Sequence, residues 1–204
     1  MNPCAPFQRL TDRKRVAIVD AAIEEFLAAG YDATSMDRIA ARANVSKRTV
    51  YNHFPSKEAL FAAILHQLWA AWQTSDTPTY RAEEPLRGQL LELVKRKLRL
   101  LNDESFIALA RVAIGAGIHS PERARELVAR MGEREEDLTV WIRAAAADRR
   151  LNTTDPVFAA LQIQGLVKSF AFWPQVTMGQ PPLDEREQIK VAEAAVDMFL
   201  AQYA

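Results

Sequence analysis

The chain has 204 residues and a mass of 22.9 kDa, of which 49% are apolar and 25% charged. That is enough chain to bury roughly two-thirds of its unfolded surface, and the composition excludes a disordered protein. Its 26 basic and 26 acidic residues cancel, so net charge points to no partner, and one cysteine, Cys4, leaves no internal disulfide and no cysteine-based zinc site. No apolar run approaches the roughly 18 residues of a membrane span, and the first ten residues lack a secretory pattern. The expectation is a cytoplasmic protein with no membrane partner.

Helical periodicity is nearly continuous along the chain and strand signals are scarce, which predicts an all-α fold. A first helix is expected from about Thr11 or Asp12 to Ala29, with Ile18, Ala22, Phe26 and Ala29 on one face and Gly30 ending it. Thr34 or Ser35 caps a second, short helix. With Thr34 as the cap, Asp37 falls at the third helical position. Asn44, Val45 and Ser46 break the pattern, and Ser46 caps a third short helix over Lys47–Phe54. Pro55 stops that helix, because the residue before proline resists helical geometry. Ser56 then caps a connecting helix over 58–72.

The polar, proline-containing stretch Thr74–Glu84 reads as a connector. Beyond it, helices are expected over about 85–101, 104–118, 121–149 (with a break near Gly132), 155–173 and 184–203, with a break across Trp173–Pro182. The division is a head of residues 1–57 and a body of 58–204.

Charge is unevenly placed. Residues 1–57 carry nine basic and six acidic groups, a surplus of three that the rest of the chain balances. From Arg38 to Lys57 there are five basic groups and no acid, a local footprint suited to phosphate. Three short helices, with a tight turn between the second and third, form a helix-turn-helix layout over about 35–54. Asn44 tolerates the left-handed geometry such a turn needs. Val50 and Phe54 should point inward, which leaves Lys47, Arg48, Thr49, Tyr51, Asn52 and His53 on the outer side. Cations, hydroxyls, an amide and an imidazole are the groups that bind phosphates and read base edges.

These residues carry a resemblance. Gly30-Tyr31, Thr34-Ser35-Met36, Ile39-Ala40, Ala43, Val45-Ser46-Lys47, Thr49-Val50-Tyr51, His53-Phe54 and Ser56–Leu60 stand at the spacing of the DNA-binding domain of the TetR family of bacterial transcriptional regulators, which residues 18–65 resemble. The departure is Asn44, where the family usually has glycine. The final VAEAAVDMFLAQY more distantly resembles the AefR-like and AcrR-like branch of that family.

The resemblance implies a homodimeric repressor on a double-stranded DNA operator, with a small-molecule effector held in the helical body and a dimer face from the last two long helices. It also implies phosphate contacts from Tyr51, His53 and Lys57. Lys47, Arg48, Thr49 and Asn52 are the candidates to read bases, and Thr34 and Ser35 to donate to phosphate while capping. Arg9, Arg13, Lys14 and Arg15 are read as an N-terminal arm.

In the body, Phe106, Arg111, Met131, Trp141, Gln162, Phe170 and Trp173 are candidate effector contacts, chosen as large apolar groups and as polar groups set among apolar ones. Gly165, Ala192, Ala195, Val196, Phe199 and Tyr203 are assigned to the dimer face. No GxSxG, HExxH or P-loop pattern occurs, and His53, His66 and His119 lack metal-ligand spacing. The expectation is a regulator that is no enzyme and holds no cofactor or metal. The rival readings are a helical small-molecule-binding protein and an activator without inducer-released repression.

Overall fold

The structure, a computed structural model, describes residues 5–72, 79–131 and 137–204. Among the described residues it is entirely helical: α1 (Ala5–Ala29), α2 (Met36–Arg42), α3 (Lys47–His53), α4 (Lys57–Trp72), α5 (Leu86–Leu101), α6 (Glu104–Ile118), α7 (Pro121–Met131), α8 (Asp137–Ala147), α9 (Pro156–Ala171), α10 (Trp173–Met178) and α11 (Glu185–Tyr203). Apart from the start of α1, the helix bounds expected from caps and periodicity recur within a few residues; the break near Gly132 and residues 74–78 of the expected connector lie outside the described residues. Among the described residues no helix is long and apolar enough to cross a membrane.

Two expectations are corrected, and one open alternative is settled. The first helix begins at Ala5, ahead of the expected Thr11 or Asp12, so Arg9 joins Arg13, Lys14 and Arg15 on helix. Ser35, not Thr34, caps α2: its hydroxyl accepts the Arg38 amide, which places Arg38 rather than Asp37 at the third position. The break across Trp173–Pro182 contains the short helix α10, which Gly179 ends at φ +68°.

The chain divides into two compact units, Met1–Ala70 with Ala108–Val128, and Ala71–Ile107 with Ala129–Ala204. In the first unit, α1 packs on α2 and α2 on α3. Ile18, Ala22, Ile39, Val50, Leu60 and Ile64 are almost fully buried there, each larger side chain contributing roughly 1.5–3 kcal/mol by leaving water. The rings of Phe26, Tyr31 and Phe61 form a triangle with centroids 5.0–6.1 Å apart.

In the second unit, α11 lies against α5 and α9, and α8 against α9. Gln89 ties the start of this unit together. Buried on α5, it accepts the Arg81 amide at 2.8 Å and the Trp141 indole N–H at 3.3 Å, and donates to the Arg81 and Glu84 carbonyls.

Candidate nucleic-acid interface

The turn between α2 and α3 is built by chain chemistry alone. Asn44 sits at φ +52°, a left-handed geometry that Asn adopts at low cost, and Ser46 closes the next helix by accepting the Thr49 amide. Val50 and Phe54 are buried, so α3 has one face fixed to the head. The opposite face exposes Lys47, Arg48, Tyr51 and Asn52, with Thr49 and His53 half-buried beside them. The Thr49 hydroxyl shares a 2.8 Å hydrogen bond with that of Ser46. Arg15 of α1 stacks its guanidinium 4.6 Å from the centre of the Phe54 ring.

Folding changes the electrostatics that the linear charge run suggested. Arg38 reaches Glu25 at 2.8 Å, while Arg42 reaches Glu25 at 2.6 Å and Glu24 at 2.9 Å. Lys47 closes on Asp37, at 2.8 Å from Oδ1 and 3.0 Å from Oδ2. The hydrogen bond from Arg42 holds the Glu25 carboxyl below its usual range against the opposing effect of burial. Of the five cations between Arg38 and Lys57, Arg48 is the one left facing solvent without a partner among the described residues.

Lys57 is engaged within the head. Its ammonium donates to the carbonyls of Tyr31 at 2.8 Å, Thr34 at 2.9 Å and Asp32 at 3.2 Å. That uses the three protons an ammonium has, so the lysine expected on phosphate secures the α1–α2 turn. Thr34 is likewise engaged internally. It is buried, and its hydroxyl donates to the Gly30 and Glu25 carbonyls. Ser35 remains exposed at the start of α2.

Two residues that sequence reasoning passed over organise this region. Glu25 is an acid seven residues after buried Ile18, hence on the buried face of α1. That position was the signal, since a buried carboxylate needs a cation. Tyr31 has the Lys57 ammonium 4.5 Å and the Arg123 guanidinium 4.1 Å from its ring centre, and its hydroxyl donates to Glu58. Burial first, then the Glu58 charge, push this phenol up to about 12. Arg123, on α7, also reaches Asp32 at 3.3 Å.

The effector candidates differ in burial, although Phe106 and Trp173 both neighbour the Phe172 ring. Phe106 and Trp141 are buried, and the indole N–H of Trp141 is taken by Gln89. Arg111 is half-buried. Phe170 and Trp173 are exposed, 56% and 45%, and Gln162 is exposed and accepts the Tyr203 hydroxyl. The side chain of Met131 lies outside the described residues.

Most of the α11 residues assigned to the dimer face turn into the protomer itself. Ala192, Ala195, Val196 and Phe199 are buried within the protomer, and Tyr203 is half-buried with its ring 4.8 Å from that of Phe199. Gly165 is exposed on α9, and a Cβ there would meet nothing in this chain. Around it Val157, Phe158 and Leu161 are exposed, as is Met198 on α11.

Residues 18–64 match the profile of bacterial regulatory proteins of the tetR family, and residues 88–204 match that of the AefR-like transcriptional repressor C-terminal domain. The chain is 56% identical to a TetR family transcriptional regulator of Pseudomonas syringae pv. tomato, over 93% of this chain and 96% of that one, with a TM-score of 0.83. It is 30% identical to the flavonoid-responsive regulator FrrA, covering 94% and 97% with a TM-score of 0.66. It is 28% identical over 172 residues to the transcriptional regulator RutR of Escherichia coli, 82% of this chain and 79% of that protein.

Proposed function

The chain belongs to the TetR family of transcriptional regulators, and from that premise we propose that it is a homodimeric repressor released from a near-palindromic operator by a small apolar or amphipathic molecule. The observation that carries this reading is α3: a helix locked inward by Val50 and Phe54, with Arg48, Tyr51 and Asn52 on its free face. Arg48 suits guanine and Asn52 adenine, while Tyr51 and His53 suit phosphate. Two such helices, one from each copy, enter successive major grooves one helical turn apart.

The second copy seats on the outward stripe of α9 and α11. Phe158, Leu161 and Gly165 recur there at helical spacing, and Met198 stands between Ala194 and Ala201. An exposed apolar stripe is what an interface between copies buries. The effector is proposed for the interior of the second unit. There the rings of Phe106 and Phe172 lie 6.4 Å apart, and Gln164 and Gln175 are buried polar groups able to orient a ligand. The flavonoid response of FrrA supports a small-molecule effector.

The test is fluorescence anisotropy of labelled DNA from upstream of the protein's own gene, beside a scrambled duplex, over a salt series. Tight binding to the first alone, falling linearly in log–log salt, is the expected result. A selection from random duplexes that enriches no sequence overturns the reading.

A further inference from the structure

The pairing of Lys47 with Asp37 crosses the helix-turn-helix from the first turn of α3 to the first turn of α2. Both carboxylate oxygens lie within 3.0 Å of one ammonium, although both side chains are about 60% exposed (59% and 62%). An exposed pair of this kind contributes little to stability. An acid in the first turn of α2 does favour the helix dipole, but that effect does not require the carboxylate to close on a lysine ten residues away. What the pair does change is the charge that α3 offers to DNA.

We propose that Asp37 is a specificity-determining positioning residue, acting through Lys47. It withdraws the first cation of the recognition helix from indiscriminate phosphate contact and holds it in one direction. The proposal rests on the reading of the head as an operator binder. A phosphate that approaches Lys47 meets a carboxylate at hydrogen-bond distance from the same ammonium, so the attraction it finds is that of a neutral pair. A base edge is a directional acceptor, and a lysine held in place loses less side-chain freedom on meeting it. Arg38 and Arg42 are closed by Glu25 and Glu24 in the same manner. Three of the five cations of Arg38–Lys57 are thus closed by carboxylates, which lowers sequence-independent affinity, set as it is by phosphate neutralisation.

The experiment uses the full chain, the duplex that the wild-type protein enriches from a random pool, and a scrambled version of that duplex. Affinities are measured across a salt series for the wild type, D37N, K47Q and the double variant, with thermal melting alongside. D37N is expected to bind the scrambled duplex about threefold or more tightly, with a salt slope steeper by about one. It should gain less on the enriched duplex, so that the discrimination ratio falls. In the K47Q background the Asp37 substitution should change neither quantity.

Equal strengthening on both duplexes would make Asp37 a general repulsive charge and overturn the proposal. Persistence of the effect without Lys47, or weakening on both duplexes with a lowered melting temperature, would overturn it as well. Each of these leaves operator binding itself standing. Failure of the wild-type protein to enrich any duplex removes both readings.

Discussion

Lys57 grips Tyr31 twice: its ammonium donates to the Tyr31 carbonyl at 2.8 Å and lies 4.5 Å from the centre of the Tyr31 ring. With the carbonyls of Asp32 and Thr34 also bound, the ammonium acts as a clasp on the turn that delivers the chain into α2. Lys57→Met should cost about 1–2 kcal/mol, because charge-assisted bonds to partly buried carbonyls are lost. For a chain of this length that corresponds to a melting temperature lower by about 2–8 °C. The salt slope of DNA binding should stay as in the wild type. A slope lower by about one with melting unchanged would return Lys57 to the phosphate.

Glu25 carries a pH signature. Its carboxyl is held below the usual range, chiefly by the Arg42 hydrogen bond. A group whose folded value is depressed stabilises the protein above its unfolded value and loses that contribution as pH falls through the folded one. Glu25→Gln should therefore lower the melting temperature near neutrality and leave it closer to wild type in strong acid, read by melting curves from pH 7 down to pH 3. Parallel curves at every pH would mean that the carboxylate charge is not what holds Arg38 and Arg42.

Arg48 and Asn52 are the base readers in the proposed complex. Arg48→Ala or Asn52→Ala should cost about 1–3 kcal/mol on the enriched duplex and relax the preference at one base pair in each half-site. The check is a competition series of duplexes altered one position at a time. Uniform loss on every sequence would assign the changed side chain to the backbone instead.

The outward stripe of α9 is the remaining test of assembly. Leu161 is 59% exposed, and a Cβ on Gly165 would meet nothing within 4 Å. Leu161→Arg should leave helix content and the fold of the protomer intact while shifting sedimentation from dimer to monomer. It should also weaken operator binding, because paired half-sites need two heads. A dimer that survives this change would place the interface on another face.

Much of the site was legible in the order of residues. The Ser46 cap, the left-handed Asn44 and the inward Val50 and Phe54 follow from interactions within a few positions of each other. Local rules suffice at that range, and α3 with its exposed side chains came out as expected. The helical body was legible to the same extent, since caps and prolines mark helix ends whatever the helices pack against. Even the choice between Thr34 and Ser35 was open only because two hydroxyls stand side by side; the Gly30 and Glu25 carbonyls then took the Thr34 hydroxyl and left Ser35 to cap.

Charge and interface were another matter. The cations of Arg38–Lys57 look like a phosphate footprint in one dimension. Their neutralising partners, Glu24, Glu25 and Asp37, lie outside that window and arrive only when α1 packs on α2 and α2 on α3. On α11 two apolar stripes share one helix: Ala192, Ala195, Val196 and Phe199 turn inward, while Ala194, Met198 and Ala201 turn out. Periodicity identifies a stripe without saying what covers it. The more voluminous stripe went to the protomer's own core, against α5 and α9.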